Sequence, residues 1–168
     1  ASALALNGCA TNPVTGKSDV VTMSAAQEGE IGRKMHPQVL QQYGRYSDEA
    51  LQAYVNDIGQ RIAKVSHLPN LQFTFTVLDS PDINAFALPG GYVYITRGIM
   101  AYLNSEAQLV AVLGHEVGHV TARHAVRQQS GAAAAGVGAT VIGILTGSGD
   151  LANVANMAGT ALVRGYGR

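Results

Sequence analysis

Apolar residues along this chain fall first into a helical rhythm, then into strand alternation, then into helix again. Ser24 and Gln27 match a capping box at a helix start, and Glu28 and Glu30 follow where acids suit the helix dipole. Ile31 and Met35 begin an apolar face, which Val39, Leu40 and Tyr43 continue. Between them Pro37 is expected to break or kink the helix. Ser47-Asp48-Glu49 opens a second helix. Leu51, Tyr54, Val55, Ile58, Ile62 and Val65 keep its 3.6-residue period until Leu68-Pro69-Asn70 ends it. His67, at that end, reads as a partner for the helix dipole and not as a ligand.

The period then changes to two. Phe73, Phe75 and Val77 alternate with Thr74 and Thr76, the pattern of a half-buried strand. Asp79-Ser80-Pro81-Asp82 predicts a turn and residues 83–88 a second strand. Pro89-Gly90-Gly91 predicts another turn, and residues 92–96 a third strand that forms a hairpin with the second. A short helix over 97–103 leads to Ser105 and Gln108, a further capping-box match. Leu109, Val112, Leu113, Val117 and Val120 then recur at helical spacing.

Past Arg127 the composition shifts. Residues 131–149 hold no charge, but glycines interrupt them, and the apolar part falls short of the roughly 20 residues a membrane span needs. A buried or mobile helix is expected there, and a last helix over 150–163. Gly136-x-Gly138 is no dinucleotide loop, because Val141 stands at the third glycine position and no strand precedes it. At the other end, residues 10–22 are polar and turn-rich and read as a tether. The pattern gives an α+β domain, mostly helical, with a small three-stranded sheet.

Composition narrows the function classes. Eleven basic residues balance eleven acidic ones in 168, so no charge excess argues for nucleic acid or an anionic surface as partner. A single cysteine, Cys9, excludes an internal disulfide. It closes the run Ala3-Leu4-Ala5-Leu6-Asn7-Gly8-Cys9, which looks like the end of a bacterial lipoprotein signal, with the cysteine as lipid acceptor. Residues 1–22 are therefore expected to be a signal remnant and tether.

The chemistry lies in Leu113-Gly114-His115-Glu116-Val117-Gly118-His119-Val120. His115 and His119 are four residues apart, hence on one helix face, where two imidazoles can converge on a metal ion. Glu116 flanks the pair as a base for water, not as a ligand. The five-residue pattern alone also occurs by chance. Its place inside an amphipathic helix is what raises it. Gly114 and Gly118 weaken the helix but leave room for another backbone or a substrate.

Several motifs together resemble the M48 zinc metallopeptidases, the Ste24, Oma1 and BepA type. They are Asn84-Ala85-Phe86-Ala87-Leu88-Pro89-Gly90-Gly91, Thr96-Arg97-Gly98 and the His115–Val120 stretch followed by Arg123-His124. Leu6-Asn7-Gly8-Cys9 resembles the periplasmic branch anchored to the outer membrane. The resemblance implies a zincin-like endopeptidase domain over 23–168, one Zn2+ on His115 and His119, Glu116 as general base and protein or peptide substrates. It also implies that substrate binds as an added strand, with Asn84, Ala85 and Phe86 as contacts. The family's third ligand, a glutamate in Glu-x-x-x-Asp, is expected beyond Arg168, since no Asp or Glu follows Asp150. The chain is thus expected to be the N-terminal part of a longer domain, completed by a downstream segment, a separate polypeptide or a second copy. His124, Glu106, Asp79 and Asp82 are substitutes within the chain, and His124 is expected to point off the metal face. A non-catalytic chaperone-like or scaffolding role in envelope assembly is the alternative.

Overall fold

A computed structural model describes residues 9–11, 18–20 and 23–124, the first two stretches by backbone pairing alone. The expectations for 131–149 and 150–163 lie outside the described residues. Within the stretch read as a tether, β1 (Cys9–Thr11) pairs antiparallel with β2 (Ser18–Val20).

Helix α1 (Ala25–Tyr43) starts on a complete capping box. Ser24 Oγ accepts from Gln27 N at 3.3 Å, and Ser24 N donates to Gln27 Oε1 at 2.7 Å. It does not break at Pro37 but runs on to Tyr43. Proline inside a helix costs about 3 kcal/mol or more. Met35 and Val39, on either side of Pro37, are both buried against the sheet and offset that cost.

Helix α2 (Glu49–Lys64) starts on Asp48, whose carboxylate accepts from Leu51 N at 3.0 Å. It ends before Val65, which is 85% exposed and lies off the apolar face the sequence assigned it to. The last turn tightens there, with Val65 N bonded to Ile62 O and Ser66 N to Ala63 O.

The sheet contains β3 (Thr74–Leu78), β4 (Ala85–Leu88) and β5 (Tyr92–Thr96) in the order β3-β5-β4. β4 and β5 form the expected antiparallel hairpin, while β3 runs parallel to β5. Gly90 and Gly91 close the hairpin turn at φ 83° and 92°, values that suit glycine.

The alternation in β3 predicts one wet face, and the structure corrects this. Phe75, Thr76, Val77 and Leu78 are all buried. Phe75 and Val77 join Val55 and Ile58 of α2 and Ala85, Val93 and Ile95 of the sheet. Leu78 joins Met35 and Val39 of α1 with Phe86, Leu88 and Tyr94. Helices therefore cover both faces of the sheet. The short α3 (Arg97–Met100) follows β5 on a Thr96 cap. Helix α4 (Glu106–Thr121) then packs on the α2 side through Leu109, Val112, Leu113 and Val117.

Candidate metal centre

The candidate ligands His115 and His119 and the candidate base Glu116 all lie on α4. Ser105 caps the helix by accepting from Gln108 N at 3.3 Å. The reverse bond of the box shifts one residue, from Asn104 N to Gln108 Oε1 at 2.7 Å. The buried stripe that follows turns the next face toward solvent. His115 is exposed and His119 half-buried, and their Nε2 atoms lie 2.9 Å apart with the rings edge-on. Ligands about 2.05 Å from a tetrahedral zinc are separated by about 3.3 Å, so a slight opening of the rings fits the ion between them. Burial holds His119 below the usual imidazole range, helped by its neighbours His115 and His124, and so favours the neutral form a metal needs.

Glu116, the residue after His115, is buried beside the pair. It is 2% exposed, and burial pushes its carboxyl up to about 7. A carboxyl tuned near neutrality is suited to taking and returning a proton.

Among the described residues no third histidine, cysteine or carboxylate joins the pair to form a metal-binding group. Glu106 is taken by Tyr54 and Arg61, Asp79 by Arg97 at 2.6 Å, and Asp82 by Ser80 at 3.1 Å. His124 is off the Nε2 focus, as its spacing predicts, but it reaches the other nitrogen of His119. Sequence reasoning missed that contact. It also missed the buried ion pair of Arg123 with Glu28, for which Arg123 beside His124 in the motif was the available signal.

Asn84, Ala85 and Phe86 stand at the start of β4. Phe86 is a core residue, stacked on Tyr94 with ring centroids 4.9 Å apart. Asn84 turns its main chain inward, its O accepting from Thr96 N at 3.0 Å and its N donating to Thr96 Oγ1 at 3.2 Å. Antiparallel pairs alternate, so Phe86 and Leu88 also bond toward β5. Ala85 and Ala87 then present their N–H and C=O groups on the outer edge of β4.

The sheet's other edge is occupied. Gln52 accepts from Val77 N at 2.9 Å and donates to Val77 O at 2.8 Å. Gln60 donates to Phe73 O at 2.8 Å. Tyr46 N adds a bond to Val77 O at 3.0 Å. Of the two edges of this three-stranded sheet, the one left unpaired among the described residues is that of β4. Ala85 shares a core cluster with Val112, Leu113 and Val117 of α4, so this edge lies beside the helix that carries the histidines.

Comparison with known proteins supplies the lineage. The Beta-barrel assembly-enhancing protease of Escherichia coli (strain K12) is 32% identical over 154 residues, covering 89% of this chain and 32% of that protein. A Putative beta-barrel assembly-enhancing protease of Vibrio cholerae is 35% identical over 117 residues, 70% of this chain and 24% of the relative. The Mitochondrial metalloendopeptidase OMA1 of Schizosaccharomyces pombe is 31% identical over 121 residues, 69% of this chain and 35% of the relative. The chain thus spans between about a quarter and a third of the length of these relatives. The sequence profile of Peptidase family M48 matches residues 49–168. That match takes in the three-stranded sheet and the histidine helix together, and the chain belongs to peptidase family M48.

Proposed function

We propose that this chain carries the hydrolytic centre of a zinc-dependent endopeptidase acting on proteins of the bacterial cell envelope. One observation carries the reading: His115 and His119 converge through Nε2 at 2.9 Å, and the buried carboxyl of Glu116 sits on the same helix.

His115 and His119 would hold the ion, with a third ligand from outside residues 23–124. Bound there, zinc would supply Lewis acidity toward water and a peptide carbonyl. The chain's own residues do the rest. Ala85 and Ala87 pair with an extended substrate and lay it beside α4. Glu116 takes a proton from the attacking water as the new C–O bond forms. It returns the proton to the departing amine as the C–N bond breaks.

The envelope assignment draws on similarity to the beta-barrel assembly-enhancing proteases and on Leu6-Asn7-Gly8-Cys9. In this reading the protein works in the periplasm, anchored to the outer membrane through lipid on Cys9. Mass spectrometry of the mature protein, expressed with its natural leader, should find a lipidated Cys9 at the N-terminus. An unmodified residue ahead of Cys9 would remove the anchor from the proposal.

Glu116→Gln tests the chemistry. Hydrolysis of an unfolded protein substrate should fall by about 10²–10⁴-fold, with zinc stoichiometry unchanged. Turnover near the wild-type rate would sink the mechanism. Hydrolysis that persists in a strong chelator would remove the metal from it. A scaffolding role instead predicts no hydrolysis from either form.

A further inference from the structure

Past α4 the chain folds back on the helix it has just left. Ala122 is still right-handed, but Arg123 is left-handed at φ 54°, a conformation that a residue with a long side chain rarely adopts. Its guanidinium donates to Met23 O at 2.8 Å and pairs with Glu28 of α1, both side chains being largely buried. The turn is thereby fastened to the start of α1.

This turn determines where His124 goes. On an unbroken helix a residue five positions on lies about 140° around the axis from its partner. Instead His124 Nδ1 lies 2.7 Å from His119 Nδ1, with ring centroids 4.9 Å apart. His119 thus engages His124 through Nδ1 and His115 through Nε2.

We propose that His124 is a positioning residue for His119, and that the Arg123–Glu28 pair holds the turn that delivers it. The inference rests on the metal reading of His115 and His119. A histidine that binds metal through Nε2 carries its proton on Nδ1, and that proton needs an acceptor. His124, protonated on Nε2, supplies the acceptor through its Nδ1. This fixes His119 in one tautomer and one ring orientation, with its Nε2 lone pair aimed at the shared focus.

Two variants of the full chain separate this from mere packing. His124→Phe keeps a ring and removes the acceptor. His124→Asn loses the ring but keeps an acceptor oxygen near the place of Nδ1. Zinc affinity, measured against a competing chelator, should fall about 10–100-fold in the Phe variant and largely recover in the Asn variant. A packing role predicts the opposite order, and that order would overturn the proposal. Circular dichroism of each variant checks that the fold is kept.

Nitrogen NMR of the zinc-free protein gives a second readout. His119 should be the Nδ1–H tautomer in the wild type and a mixture in the Phe variant. An unchanged tautomer would also overturn the proposal. If no form binds zinc, the metal reading fails, and the tautomer still decides whether His124 positions His119. Glu28→Gln, distant in sequence from both rings, should weaken zinc binding in the same direction. Unchanged affinity there would remove the ion pair from the proposal.

Discussion

Glu116 combines two demands on one carboxyl. The fold buries it, and the chemistry proposed for it needs the charged form. Its carboxyl titrates near 4.5 when unfolded and about 7 in the fold, so the folded state prefers it protonated. That preference stabilises the fold fully below about pH 4.5 and is lost as pH rises through about 7. The gap between the two values corresponds to about 3 kcal/mol. Glu116→Gln, uncharged throughout, should therefore exceed the wild type in stability by about that amount above pH 7 in chelator, and match it near pH 4. Urea unfolding across this range reads the difference. Equal stability at pH 8 would mean that the carboxylate is compensated inside the fold. Hydrolysis should lose its basic form as pH falls. A divalent cation beside the carboxyl favours its ionised state and moves that limb lower.

The elements meet where side chains are smallest. A Cβ on Gly59 of α2 would lie 2.4 Å from the Phe75 ring, and one on Gly32 of α1 would lie 2.1 Å from Pro89 O. Gly59→Ala should cost about 1–3 kcal/mol by overpacking, despite alanine's better helix propensity. Gly114 and Gly118 of α4 are different, since a Cβ on either would meet nothing within 4 Å among the described residues. Gly114→Ala should raise stability by about 1 kcal/mol. Thermal unfolding of the two variants checks both signs, and a loss at Gly114 would show that something packs against it. The sequence made the element starts legible because caps are local: Ser24, Asp48 and Ser105 all accept from the expected backbone N–H. The hairpin and the His115–His119 pair were legible for the same reason. The parallel pairing of β3 with β5, the buried second face of β3 and the passage of α1 through Pro37 were not. Each depends on partners remote in sequence, as does the bond that Arg123 donates to Glu28 at the turn before His124.

Across the whole molecule, one buried ion pair ties the first helix to the turn after the last described one. Glu28 and Arg123 are 95 positions apart, and neither side chain has much access to water. Removing one partner leaves the other charged and dry. Glu28→Ala or Arg123→Ala should each destabilise by about 3 kcal/mol, and replacing both by apolar residues should cost less than the two singles together. Urea unfolding of the four-member cycle measures the coupling, and additive effects would mean that the pair contributes nothing of its own. The sheet order has a different consequence, in time. Its middle strand, β5, is the last of the three to leave a ribosome. After Leu78 emerges, about 18 residues must follow before Thr96 does, roughly one to four seconds at ordinary synthesis rates. Through that interval Phe73, Phe75 and Val77 have no neighbouring strand to pair with. Over that interval β3 can already rest on α2 but has no strand along its β5 side, and ribosome pausing within residues 79–91 should lengthen that exposure.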